Sequence, residues 1–138
     1  MADRVFVDTN VWVYAVDSAD PDKRARALAL LNPAADAVPV VSAQVLSEFY
    51  VVVTRKLAKP LAEDAAQAMV GEMARLPVVP LDSDLVRAAI SGSREWGISL
   101  WDGLIVRAAE AAGCRQLLSE DLSAGARYGT VEVVNPFA

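Results

Sequence analysis

Histidine is missing from the 138 residues, and cysteine occurs once, at Cys114. The first absence removes Ser-His-Asp and Cys-His catalysis, imidazole general bases and histidine-rich zinc or iron sites. The second forbids an internal disulfide and any C-x-x-C redox or zinc motif. No uninterrupted apolar run approaches the roughly 18 residues of a membrane span, and the N-terminus lacks the basic-then-apolar layout of a signal peptide, so a cytoplasmic location is expected. Positive charge is also scarce. Lys and Arg number 13 against 18 Asp and Glu, a formal net charge of −5, which weighs against a nucleic-acid binder with a broad basic face. If the chain is an enzyme, carboxylates must carry its chemistry.

What is present suits one ordinary domain over residues 1–138. Hydrophobic residues make up 54% and charged residues 22%, enough apolar surface to offset the entropy of folding. Arg4-Val5-Phe6-Val7 reads as a strand that runs straight into a helix at the capping residues Asp8-Thr9-Asn10. Asp20-Pro21-Asp22 starts a helix through Leu31. Val38–Val41 reads as a strand, with Ser42 capping a helix to about Leu57. A helix is predicted from about Ala62 to Leu76, a short strand over Val78–Leu81, and caps at Asp82 and Ser83. The next helix stops at Gly97, and another runs from Ser99 to Gly113, each with a glycine placed as a left-handed cap. Gln116-Leu117-Leu118, a polar loop and the strand Val131–Val134 close the chain. Short apolar strands alternating with helices imply an α/β fold with a mostly parallel sheet covered on both faces.

Four acids stand out against this frame. Asp8 lies just past a buried strand, at the edge where open α/β sheets place their ligands, although it could merely cap the next helix. Asp121 also follows an apolar strand, and its plain alternative is a turn or cap before Leu122–Ala126. Glu48 lies three after Val45 and four before Val52, on the helix face meant for burial, where a carboxylate needs a metal or an arginine partner. Asp102 would be the third helical residue after Ser99, favoured there by the helix dipole with or without a metal. Thr9, Asn10, Ser42 and Ser119 could orient the acids or serve only as caps. Trp12, Tyr14 and Trp101 are expected to pack in the core or a subunit interface, with base stacking the alternative. Lys23-Arg24-Ala25-Arg26 and Arg55-Lys56-Leu57-Ala58-Lys59 are local basic patches that read first as solvated helix faces. A carboxylate cluster without histidine is the ligand set that Mg2+ or Mn2+ prefers, and such ions activate water against a phosphodiester.

The strand ending in Val7-Asp8-Thr9-Asn10, the helix Ser42-Ala43-Gln44-Val45-Leu46-Ser47-Glu48-Phe49, then Leu100-Trp101-Asp102-Gly103-Leu104-Ile105 and Leu118-Ser119-Glu120-Asp121-Leu122, in that order, resemble the PIN-domain family, especially its VapC toxins. The resemblance extends to the closing Val133-Val134-Asn135-Pro136-Phe137. It implies a compact three-layer αβα sandwich and a toxin ribonuclease that cuts RNA endonucleolytically with Mg2+ or Mn2+. Asp8, Glu48 and Asp102 would be the core ligands. Asp121 would be the fourth acid, directly or through water, with Glu120 its rival for that place. Thr9 or Asn10 and Ser119 would support the site. The resemblance also implies a homodimer and a cognate antitoxin protein whose tail lies across the acidic site.

Two other classes stay open on the residues. An aspartyl phosphotransferase would use Asp8 as nucleophile, but that class usually wants a second acid two residues on, where this chain has Asn10. A non-catalytic binding or regulatory module would use the acidic cleft only to hold a basic partner peptide.

Overall fold

The computed structural model describes residues 3–138 and contains six strands and six helices. In chain order they are β1 (Arg4–Val7), α1 (Thr9–Tyr14), α2 (Pro21–Leu30), β2 (Val38–Ser42), α3 (Ala43–Arg55), α4 (Glu63–Met73), β3 (Val78–Val79), α5 (Ser83–Trp96), α6 (Leu100–Ala111), β4 (Gln116–Leu118), β5 (Arg127–Tyr128) and β6 (Val131–Val134). Among the described residues they form one sheet of order β3-β2-β1-β4-β6-β5, parallel except for the β5–β6 hairpin.

Strand alternation divides the core in two. Phe6 and Leu117 belong to the larger apolar cluster, with Val40, Phe49, Leu104, Val106 and Val133. Their neighbours Val7 and Leu118 belong to the smaller cluster, with Val11, Ala15 and Ala27 from α1 and α2. Helices thus cover both faces of a sheet whose strands are apolar almost throughout, the three-layer α/β arrangement that the sequence predicts.

The caps fall where the sequence places them. Side chains of Asp20, Ser42, Asp82 and Ser99 accept hydrogen bonds from the amides of Lys23, Val45, Leu85 and Asp102. Gly97 ends α5 in the left-handed region at φ 65°. Element lengths differ more. Helix α3 stops at Arg55 instead of Leu57, α4 spans Glu63–Met73 instead of 62–76, and α6 ends at Ala111, two residues short of Gly113. Strand β3 ends at Val79 because Pro80 has no N–H to offer a ladder. The polar loop after β4 contains an unforeseen strand, β5, which returns through Gly129 at φ 60° to pair with β6. Gly103 lets α6 approach α5 closely, since a Cβ there would meet the Ala89 carbonyl oxygen at 2.9 Å.

Candidate metal centre

Strands β1 and β4 are adjacent and parallel, with Val7 opposite Leu118, so the residues after them emerge at the same sheet edge. The Asp8 amide still bonds the Leu118 carbonyl at 3.0 Å, and the Ser119 amide bonds that of Val134 at 3.0 Å. Asp8 is only 6% exposed and Ser119 fully buried. One carboxylate oxygen of Asp8 accepts from the Thr9 amide at 2.8 Å, so the capping role is real. The other accepts from Ser119 Oγ at 2.8 Å and Asn10 Nδ2 at 3.4 Å. Burial pushes the Asp8 carboxyl up from 3.8 to about 6; hydrogen bonds from Ser119 and the Thr9 amide oppose the rise, while the charges of Asp121 and Glu48 add to it.

Glu48 enters from α3 and is half-buried. Among the described residues no arginine forms an ion pair with it. Its Oε1 accepts from Gln44 Nε2 at 2.6 Å and its Oε2 from Thr9 Oγ1 at 3.3 Å. Gln44 Nε2 also donates to the Trp101 carbonyl at 3.3 Å, tying α3 to the first turn of α6 one residue before Asp102. Gln44 is the neighbour of the candidate site that sequence reasoning misses. Its signal is a polar residue four before Glu48, hence on the same helix face. Asp102 is half-buried at the third position of α6, and its amide donates to Ser99 Oγ at 3.0 Å. Among the described residues its carboxylate makes no hydrogen bond, so no reciprocal capping box forms.

The loop after β4 sends neighbouring acids to different places. Asp121 is exposed, and its carboxylate accepts from Asn10 Nδ2 at 3.2 Å while its amide donates to Ser119 Oγ at 3.2 Å. The Glu120 amide donates to Asn10 Oδ1 at 3.1 Å. Its side chain turns away, accepting from Tyr14 Oη at 2.5 Å and Lys23 Nζ at 2.6 Å. Burial would raise the Glu120 carboxyl, but the bonds from Lys23 and Tyr14 prevail and hold it below its ordinary value. Asn10 is therefore the hub, joining Asp8, Asp121 and the loop backbone, while Ser42 only caps α3.

The aromatic residues divide. Trp12 Nε1 donates to the Val7 carbonyl at 3.1 Å, and Tyr14 packs edge-on to Phe137 with ring centroids 4.9 Å apart. Trp101 is 64% exposed, so in this chain it is not core. Arg55, Lys56 and Lys59 are exposed, but only Arg55 is on α3; the two lysines lie in the turn and bend that follow it, so the patch is solvated without being a helix face.

The donor set fits a hard divalent cation: carboxylate oxygens, with hydroxyls and amides behind them, and neither nitrogen nor sulfur ligands. None of the ion pairs among the described residues involves Asp8, Glu48, Asp102 or Asp121. Equally, among the described residues no three acidic or thiol side chains converge closely enough to enclose an ion by themselves. The Asn10 amide stands between Asp8 and Asp121, and Thr9 and Gln44 hold Glu48. Such donors relieve the repulsion between like charges when no cation does so.

Solved structures that share the fold include three toxin or toxin-antitoxin proteins. A sarcin-ricin loop cleaving toxin of Mycobacterium tuberculosis, VapC20, superposes with a TM-score of 0.62 at 19% identity, covering 85% of this chain and 89% of its own. A toxin-antitoxin complex from Klebsiella pneumoniae gives 0.66 at 16% identity, with coverage of 96% and 97%. DNA-bound VapBC from Salmonella typhimurium gives 0.64 at 18%, with coverage of 95% and 96%. No curated protein matches the chain significantly in sequence. The PIN domain profile matches residues 5–125, a span that takes in all four acids, and the chain therefore belongs to the PIN domain family.

Proposed function

We propose that residues 1–138 form a single PIN domain acting as a metal-dependent endoribonuclease, the toxin of a VapBC-type pair. The observation that carries this reading is Asp8. It is a buried carboxylate without a cationic partner among the described residues, beside Glu48 and Asp121 whose charges oppose its own ionisation. A buried charge so placed is costly unless something positive joins it.

In this reading Asp8, Glu48 and Asp102 would hold Mg2+ or Mn2+, and Asp121 would hold it or orient a water. The bound ion would activate that water and offset charge developing on the phosphodiester. Ser119 and Asn10 fix the Asp8 carboxylate, and Thr9 and Gln44 fix that of Glu48, so each ligand is presented in one orientation. Without histidine, the proton leaving the attacking water passes to a carboxylate or to bulk water. RNA as substrate, an antitoxin as partner, a homodimer and a cytoplasmic location are inferred with the family. The loop-cleaving activity of the VapC20 neighbour supports RNA as substrate, and the toxin-antitoxin complex supports an antitoxin as partner; the homodimer and the location rest on the family alone.

The open spacing of the acids favours one rival, a binding module whose cleft holds a basic peptide without cutting RNA. Purified, antitoxin-free protein incubated with a mixed cellular RNA pool separates the two. Cleavage with Mg2+ or Mn2+, lost with EDTA and in Asp8→Asn, supports the nuclease. Folded protein that cuts nothing in any condition supports the module.

A further inference from the structure

Between β4 and Leu122, consecutive side chains diverge. Ser119 faces Asp8, Glu120 leaves toward α1 and α2, and Asp121 comes back to Asn10. What holds Glu120 outward is an ordered group of contacts. Lys23 Nζ donates to Glu120 Oε2 at 2.6 Å and to Tyr14 Oη at 3.2 Å, and Tyr14 Oη donates to Glu120 Oε1 at 2.5 Å. The ammonium also lies 4.8 Å from the Tyr14 ring centroid and 5.8 Å from that of Phe137. Both charged side chains are partly shielded, Lys23 34% and Glu120 26% exposed, unlike the open Arg75–Glu72 pair at 78% and 76%. Shielded, charge-assisted bonds of this kind fix geometry in a way that open surface pairs do not.

We propose that Lys23 is a positioning residue of the metal centre: by clamping Glu120 against Tyr14, it fixes the loop so that Asp121 faces Asp8. This rests on the metal-binding reading above. One more link makes the coupling direct, because Asn10 accepts from the Glu120 amide and donates to the Asp121 carboxylate. A shift of Glu120 therefore moves both ends of that bridge.

The sign of the effect separates positioning from simple electrostatics. Removing a positive charge near an acidic cleft should tighten cation binding by Coulomb's law, and a freed Glu120 could add a further ligand. Loss of positioning should weaken it. Mn2+ affinity is read by the EPR signal of free Mn2+ titrated with wild type, Lys23→Met, Lys23→Arg and Glu120→Ala, each shown to be folded by circular dichroism. The Lys23→Met and Glu120→Ala proteins should bind about 10-fold more weakly, the lower end of what supports behind metal ligands contribute, and Lys23→Arg should stay near wild type. In an Asp121→Ala background, Lys23→Met should cost nothing more. Equal or tighter binding by Lys23→Met, or an undiminished effect without Asp121, overturns the positioning role. Should Lys23→Met not fold, Glu120→Ala in the Asp121→Ala background decides instead: an effect that persists there is the lost Glu120 charge and overturns the positioning role, and one that vanishes is lost positioning. A wild type that binds no Mn2+ overturns the metal centre itself, and the positioning role with it.

Discussion

Replacing Ser119 by alanine removes one of the two donors that lie 2.8 Å from the buried Asp8 carboxylate, the other being the Thr9 amide. A hydrogen bond to a charged buried group is worth about 1.5–3 kcal/mol, against about 1 kcal/mol when both partners are neutral. The charge on Asp8 depends on pH in the accessible range, since its carboxyl titrates at about 6 in the fold against 3.8 ordinarily. A value raised on folding means that the contribution of Asp8 to stability is fully present below 3.8 and is lost as pH climbs through 6. In metal-free protein that loss is about 3 kcal/mol by neutral pH. Ser119 limits the loss, because its bond favours the ionised form. In EDTA, Ser119→Ala should therefore cost about 2 kcal/mol near pH 7.5 and about 1 kcal/mol near pH 5, where Asp8 is largely protonated. For a chain of this size the neutral-pH loss corresponds to a fall in Tm of roughly 6–10 °C. Urea denaturation at the two pH values measures both. Equal losses at the two, or a loss under about 0.5 kcal/mol at neutral pH, would refute the assignment of Asp8 as a buried, Ser119-supported charge.

Two glycines should respond oppositely to alanine. Gly103→Ala should destabilise by about 1–3 kcal/mol, because its Cβ would meet the Ala89 carbonyl oxygen at 2.9 Å and push α5 from α6. Gly71, exposed in α4 with nothing within 4 Å of a new Cβ, should gain about 0.5–1 kcal/mol; urea titration reads both, and a loss at Gly71 would contradict the packing. Cys114 is buried, and burial pushes its thiol up to about 11. Native protein at neutral pH should thus resist iodoacetamide, with labelling that follows the unfolded fraction across a denaturant series.

Asp8 and Glu48 stand out in the sequence because their signals are local, whereas Asp102 and Asp121 stand out only through the resemblance. Asp8 follows a short apolar strand, and Glu48 interrupts an apolar helical face with no compensating neighbour. What joins them was not legible. Gln44 reaches Glu48 within one helix, a spacing that can be read, but its second bond, to the Trp101 carbonyl, crosses to another helix. The pairing of Lys23 with Glu120 is equally invisible, since nothing near either residue names the other. Helix ends drifted by two or three residues because propensity alone does not say where packing stops. Strand β5 escaped notice because two residues, Arg127 and Tyr128, show no period, and Gly129 marks a turn without saying what pairs across it.

The edge that carries the acids lies between β1 and β4, the first and fourth strands made, and β4 is flanked on its far side by β6, the last. During translation Asp8 and Glu48 leave the ribosome early, with the strand that must stand beside β1 still unmade. A chain synthesised only as far as α6 therefore holds Asp8, Glu48 and Asp102 without β4, Ser119 or Asp121 to set beside them. Chains truncated before β4 fall in the same class, so the arrangement of acids at this edge is a property of the finished fold.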